Sequence, residues 1–180
     1  DIEMAITLQP NNAAYYNNYA NGLRTLNQNK EAVKFYKRAI ELDYENHSAK
    51  LNLAYFEFAA HNFRNAWRLY ESRWHAHDQK TIPLSTKKPM LNSFDVKNKK
   101  ILIWSEQGLG DHILYSTMLA DALMSTNDFI VVIDLRLLDL YKASFKDFKN
   151  VAFLESAVNE NLYDFHIPMG DLGKFFRISK

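Results

Sequence analysis

The side chains best suited to chemistry lie in one short run, residues 105–111, SEQGLGD, with His112 just beyond it. The run holds two carboxylates, Glu106 and Asp111, one amide, Gln107, and two glycines, Gly108 and Gly110. A carboxylate beside a bound hydroxyl can take its proton as that hydroxyl attacks. The glycines let the chain turn tightly and let a ligand approach the backbone. A dinucleotide fingerprint needs a third glycine where Ile113 stands, and no Gly-Lys-Ser/Thr follows, so neither a dinucleotide loop nor a Walker loop is expected. The spacing still suits an anion or hydroxyl near a helix N-terminus, where free N–H groups converge. Asp111 is equally well placed as a helix cap, and the two roles can coexist.

The elements around this run must hold it in place. Ile101, Leu102, Ile103 and Trp104 are apolar on successive residues, as in a strand covered on both faces. Ile113, Leu114, Met118, Leu119, Ala122 and Leu123 then recur at helical spacing and predict a helix over about 112–125. Strands follow at 129–133, 151–154 and 163–167, with a short amphipathic helix at 136–145. Strand, helix, strand, helix, strand at this spacing predicts the start of an open parallel sheet with right-handed crossovers. Ligands of such sheets sit at the C-terminal ends of the strands, where residues 105–111 lie. His166, near the end of the last strand, either lines that cleft or makes a structural hydrogen bond.

The first 78 residues carry a different period. Ala20 recurs as Ala54, Ala32 as Ala66, Tyr36 as Tyr70, and Ala5, Ile6 and Leu8 as Ala39, Ile40 and Leu42. A period of 34 with two helices per unit resembles the tetratricopeptide repeat. The resemblance implies a partial repeat over 1–11, full repeats over about 12–46 and 47–78, and helices near 13–27, 30–43, 47–60 and 63–76. It also implies further repeats upstream. Such repeats stack into a curved array whose concave face binds peptides or proteins. Asn17, Asn18, Asn21 and Arg24 on one first helix, and Asn52 and Glu57 on the next, are the candidate groove residues, unless they are simply solvated surface. Arg73 and Lys50 stand where the preceding unit has Ala39 and Tyr16. Arg73 either caps the stack or faces the next domain. Trp67, Tyr70 and Trp74 share one helix face, as core of the hairpin or as a seam to the second domain.

Between the two patterns, residues 79–98 read as an extended linker with Pro83 and Pro89. His75, His77 and Asp78 match no metal-ligand spacing, so no metal is expected. The chain has 180 residues, 47% apolar and 24% charged, a globular composition rather than a disordered one. A net charge of +1 gives no field favouring nucleic acid, and no run is long enough to span a membrane. Without cysteine, disulfides and thiolate metal sites are excluded, which suits a reducing, cytoplasmic setting.

The string IWSEQGLGDHILYSTML, with RLYESRW upstream and YDFHIPMGDL downstream, resembles bacterial tetratricopeptide proteins fused to a glycosyltransferase-like domain. That domain is similar to the two-lobed, metal-independent (GT-B) transferases, including the heptosyltransferases. The resemblance implies a mixed architecture: helical hairpins, then an incomplete Rossmann-like α/β lobe over 99–180. This lobe would hold a glycan or polypeptide acceptor, and a second lobe, absent here, would bind a nucleotide sugar as co-substrate. No other cofactor is implied. Asp111 matches the position of the family's general base. Glu106, Gln107, Gly108, Gly110, His112 and His166 would form the acceptor loop and cleft. Tyr115-Ser-Thr-Met118 departs from the heptosyltransferase pattern. A protein or peptide partner would dock on the repeats, and the fragment alone would be inactive. The competing expectation is a non-catalytic scaffold with a degenerate α/β domain.

Overall fold

The computed structural model describes residues 2–76, 82–106, 108–156 and 158–179. It divides into two compact units, one over Ile82–Ile178 and the other formed chiefly by the residues before Ile82. Together they make a mixed α/β fold of helices and a four-stranded parallel sheet.

The first unit is helical among the described residues: α1 (Ile2–Leu8), α2 (Ala13–Thr25), α3 (Asn29–Leu42), α4 (His47–Ala59) and α5 (Phe63–Tyr70). Its local signals recur at the sequence period. Asn12 caps α2 by accepting from the Ala14 N–H at 3.1 Å, and Asn46 caps α4 by accepting from the Ala49 N–H at 3.0 Å. Asn27 and His61, 34 positions apart, both end their helices with positive φ, 59° and 61°. Helix α3 returns along α2 antiparallel. Arg38 reaches the Tyr16 ring and Phe35 packs edge-on against Tyr19, so later residues of one helix meet earlier residues of the other. Ala20, Ala32, Ala39, Ala54 and Ala66 are fully buried.

The last helix is shorter than the sequence period predicts. It gives way at Glu71–Trp74 to a 3₁₀ turn closed by the His75 N–H on the Ser72 carbonyl. The Arg73 side chain is fully buried there, 4.6 Å from the Tyr70 ring centroid and 4.3 Å from that of Trp74. Trp67 packs edge-on against Phe58 and Tyr70 inside the same unit. Lys50 lies over the Tyr44 ring at 3.4 Å.

The second unit runs β1 (Lys100–Trp104), α6 (Leu109–Leu123), β2 (Asp128–Val132), α7 (Leu135–Ser144), β3 (Val151–Leu154) and β4 (Phe165–Pro168), then a 3₁₀ turn Met169–Leu172 and a helical turn α8 (Gly173–Phe176). All pairings are parallel, in the order β3-β2-β1-β4. Leu102 pairs with Ile130 on one side and His166 on the other. Ile101, Ile103, Leu119, Val131, Ile167 and Leu172 form the fully buried centre. Part of the segment read as linker belongs to this unit. Met90 bridges His166 in parallel, with the Leu91 N–H donating to the His166 carbonyl at 2.8 Å, so residues 89–91 cover the outer edge of β4.

Candidate functional site

Strand order places the candidate site. The chain leaves β1 towards β2 on one side, while β4 joins β1 on the other. The crevice beyond their C-terminal ends is the switch point where open parallel sheets receive ligands. Ser105 and Glu106 leave β1 there, and Met169, Gly170 and Asp171 leave β4.

Helix α6 begins earlier than its apolar spacing predicts. Gly108 is its N-cap, extended at φ −72° and ψ 172°, and its carbonyl accepts from the N–H groups of Asp111 at 3.0 Å and His112 at 3.2 Å. Gly110 and Asp111 therefore lie inside the first helical turn rather than in a loop. Helical spacing of apolar residues could not find this start, because Gly110 and Asp111 add nothing to the apolar stripe. Asp111 is not the cap residue. It occupies the third helical position, where a carboxylate meets the positive end of the helix dipole. Its Oδ2 lies 3.7 Å from where a Cβ on Gly108 would stand, so the half-buried carboxylate folds back over that glycine.

Glu106 is held from the opposite side of the crevice. A Cβ on Gly170 would stand 2.7 Å from Glu106 Oε1 and 3.1 Å from the Tyr115 ring. A Cβ there would have to displace that carboxylate and crowd that ring. Asp171, 2% exposed, pairs with Lys174 at 2.7 Å. The Gly-Asp pair at 110–111 thus has a counterpart at 170–171 on the facing strand end. Sequence reasoning singled out His166 from that stretch, gave no role to Gly170 or Asp171, and named Tyr115 only as a departure from the heptosyltransferase pattern. The repeated Gly-Asp after a strand was the available signal.

His112 and His166 are placed by packing. His112 is buried, and its carbonyl accepts from the Tyr141 hydroxyl of α7. Asp134, the cap of α7, has its carboxyl held well below the usual range chiefly by Arg136. His166 Nδ1 accepts from Trp104 Nε1 at 3.2 Å, which leaves the proton of the neutral ring on Nε2. Burial pushes its pKa down, and a backbone hydrogen bond with Lys88 acts the other way. The ring ties β1 and β4 to the segment before β1. Gln107 lies outside the described residues.

In the helical unit, three of the six candidate groove residues come together. Asn21 Oδ1 accepts from the Tyr36 hydroxyl at 2.7 Å and from Asn52 Nδ2 at 3.2 Å, and Arg24 Nη1 donates to Asn52 Oδ1 at 3.1 Å. This polar network joins α2, α3 and α4. Asn17, one turn before Asn21, is buried, with Oδ1 lacking a hydrogen-bond partner among the described residues. Asn18 is exposed, and Glu57 instead accepts from Asn62 at 2.8 Å across the α4–α5 turn. His75 packs against His47, ring centroids 4.8 Å apart. His77 and Asp78 lie outside the described residues. Among the described residues no group of three or more His, Cys, Asp or Glu could hold a metal, and no helix is long and apolar enough to cross a membrane.

In comparisons with known proteins, no family model matches the chain and no curated protein matches it.

Proposed function

We propose that the chain joins a tetratricopeptide-type protein-interaction array to the acceptor-side lobe of an inverting glycosyltransferase, with Asp111 as general base. The observation that carries the reading is the placement of Asp111. It stands in the first turn of α6, immediately beyond β1, at the switch point between β1 and β4. An inverting transfer needs a carboxylate beside the acceptor hydroxyl, to take its proton as the hydroxyl attacks the anomeric carbon. Gly110 leaves the approach open, since among the described residues no atom beyond its own helix backbone and chain neighbours lies within 4 Å of where its Cβ would stand. Ile113, Leu114 and Leu135 put exposed apolar side chains around this end of the sheet, which suits a surface that closes on a sugar and a second lobe. A nucleotide sugar is then the co-substrate of that second lobe, and this chain alone has no transfer activity.

The array reading rests on the 34-residue recurrence of caps, helix ends and buried alanines. The Asn21–Arg24–Asn52 network gives it fixed donors and acceptors for an extended peptide. The test uses a protein carrying both lobes, a panel of nucleotide sugars and acceptors, and Asp111→Asn. Asparagine keeps the shape but cannot accept the proton, so turnover should fall by about 10²–10⁴ with an unchanged thermal midpoint. Near-native turnover would discard the base. No turnover with any donor, together with retained peptide binding, would instead favour a non-catalytic scaffold. Tight nucleotide-diphosphate binding by the 180-residue chain itself would overturn the lobe assignment.

A further inference from the structure

The two edges of the sheet are treated differently. The β4 edge is covered by residues 89–91, whereas β3 is the last strand on its side. The Phe129 N–H donates to the Asn150 carbonyl and the Ile133 N–H to the Leu154 carbonyl. Parallel pairing alternates along a strand, so residues 150, 152 and 154 face β2, while the main-chain groups of Val151 and Phe153 face outwards. No other described residue hydrogen-bonds to those outward groups. Beside them opens a pocket of about 350 Å³ lined by Lys142, Phe145, Lys146, Phe148, Val151 and Phe153, with Ala152 at its side. Its floor is aromatic: Phe145 lies 5.7 Å from Phe153 and 6.2 Å from Phe148, centroid to centroid. Its rim is basic. Lys142 and Lys146 are exposed, and neither has an ion-pair partner among the described residues. Lys149 adds a third ammonium, anchored on the Lys146 carbonyl at 3.2 Å, and Asp147 is the one carboxylate between Lys142 and Asn150.

We propose that the β3 edge is a docking site for an extended, acidic segment of a partner protein, which adds to the sheet as a fifth strand. Main-chain bonds to Val151 and Phe153 would supply the pairing, and the aromatic pocket would take an apolar side chain of the segment. The lysines select the occupant. A second copy of this chain would bring its own lysines to the same edge, and like charges are a common guard against edge-to-edge pairing. A segment with glutamates flanking an apolar centre meets the opposite field. The site lies at the start of β3, at the other end of the strands from Asp111, so it does not depend on the transferase reading.

The probe is a short fluorescein-labelled peptide with a Val-Phe-Val centre flanked by glutamates, titrated into the 180-residue protein by fluorescence anisotropy. Two further peptides carry N-methyl groups on alternate backbone amides, one in each register. Strand addition uses every second amide of the peptide, so one methylated peptide should lose binding roughly tenfold or more while the other binds like the parent. The Lys142→Glu, Lys146→Glu double variant should weaken the parent peptide by about tenfold with an unchanged melting curve. The Val151 and Phe153 amides should exchange more slowly in the complex. Equal binding of both methylated peptides would mean adsorption by charge alone and would overturn the proposal. Absence of saturable binding, or self-association through this edge, would overturn it as well.

Discussion

In the helical unit the fully buried positions are mostly small: Ala20, Ala32, Ala39, Ala49, Ala54 and Ala66, with Tyr36 and Arg73 as the large exceptions. In the α/β unit they are mostly long aliphatics: Ile101, Ile103, Leu119, Ile133 and Ile167. Two helices joined by a short turn approach closely only where side chains are nearly absent, so there the sequence specifies smallness. A parallel sheet leaves a wide gap to its covering helix, and large side chains must fill it. The candidate sites follow the same division. The polar network of the helical unit lies on helix surfaces, with Asn21 and Asn52 only half-buried. Asp111 and Glu106 stand where strands end and no ladder partner remains.

Truncation should hurt the α/β unit most. Ile103 is fully buried on the central strand β1, and Ile103→Ala should cost about 2–5 kcal/mol through lost transfer energy and a cavity. Denaturant unfolding followed by Trp104 fluorescence would measure it. The alanine sites of the helical unit have almost nothing to remove, and Ala32→Gly should cost only about 1 kcal/mol, through helix propensity. A loss below 1 kcal/mol at Ile103 would erase the contrast.

Enlargement should hurt the helical unit. Ala32→Leu or Ala66→Leu forces extra volume into a closed contact and should cost roughly 1–3 kcal/mol. The two sites occupy the same place in successive hairpins, so their costs should agree. Amide exchange within α2–α5 would locate the loss. If both are tolerated, or if they differ widely, the close alanine contact or the equivalence of the two hairpins fails.

Legibility in the sequence follows the same division. The 34-residue period places α2, α3 and α4 to within two residues, where Asn12 and Asn46, and then Asn27 and His61, mark turns by local chemistry, but it overruns the end of α5, where the chain tightens into the 3₁₀ turn Glu71–Trp74. The strands were readable from apolar runs such as 101–104 and 129–132. What escaped was set by contacts distant in sequence. The seat of Glu106 on Gly170 joins residues on two strands, and no local pattern announces it. The pairing of Met90 with His166 turned part of an apparent linker into a sheet edge, although Pro89 had argued against regular structure nearby. The network of Asn21, Arg24 and Asn52 was legible as residues on one face, but its closure through Tyr36 was not.

The smallest effect concerns His166 in the α/β unit. Burial lowers its pKa from the ordinary 6.5, because the charged ring would lose its water. Nδ1 is also committed as an acceptor to Trp104, and protonation there would turn that contact into two opposed donors. The unfolded chain therefore binds the proton more readily than the folded one. Stability contributed by the neutral ring is full above about pH 6.5 and is lost as pH falls towards the lower folded value. The α/β unit should melt lower at acid pH in this window, as read by Trp104 fluorescence. The backbone bond with Lys88 opposes the shift, which keeps the effect modest. His166→Gln keeps an acceptor for Trp104 but no titrating group, so it should flatten this part of the acid limb. An unchanged acid limb in that variant would assign the loss to carboxylates instead.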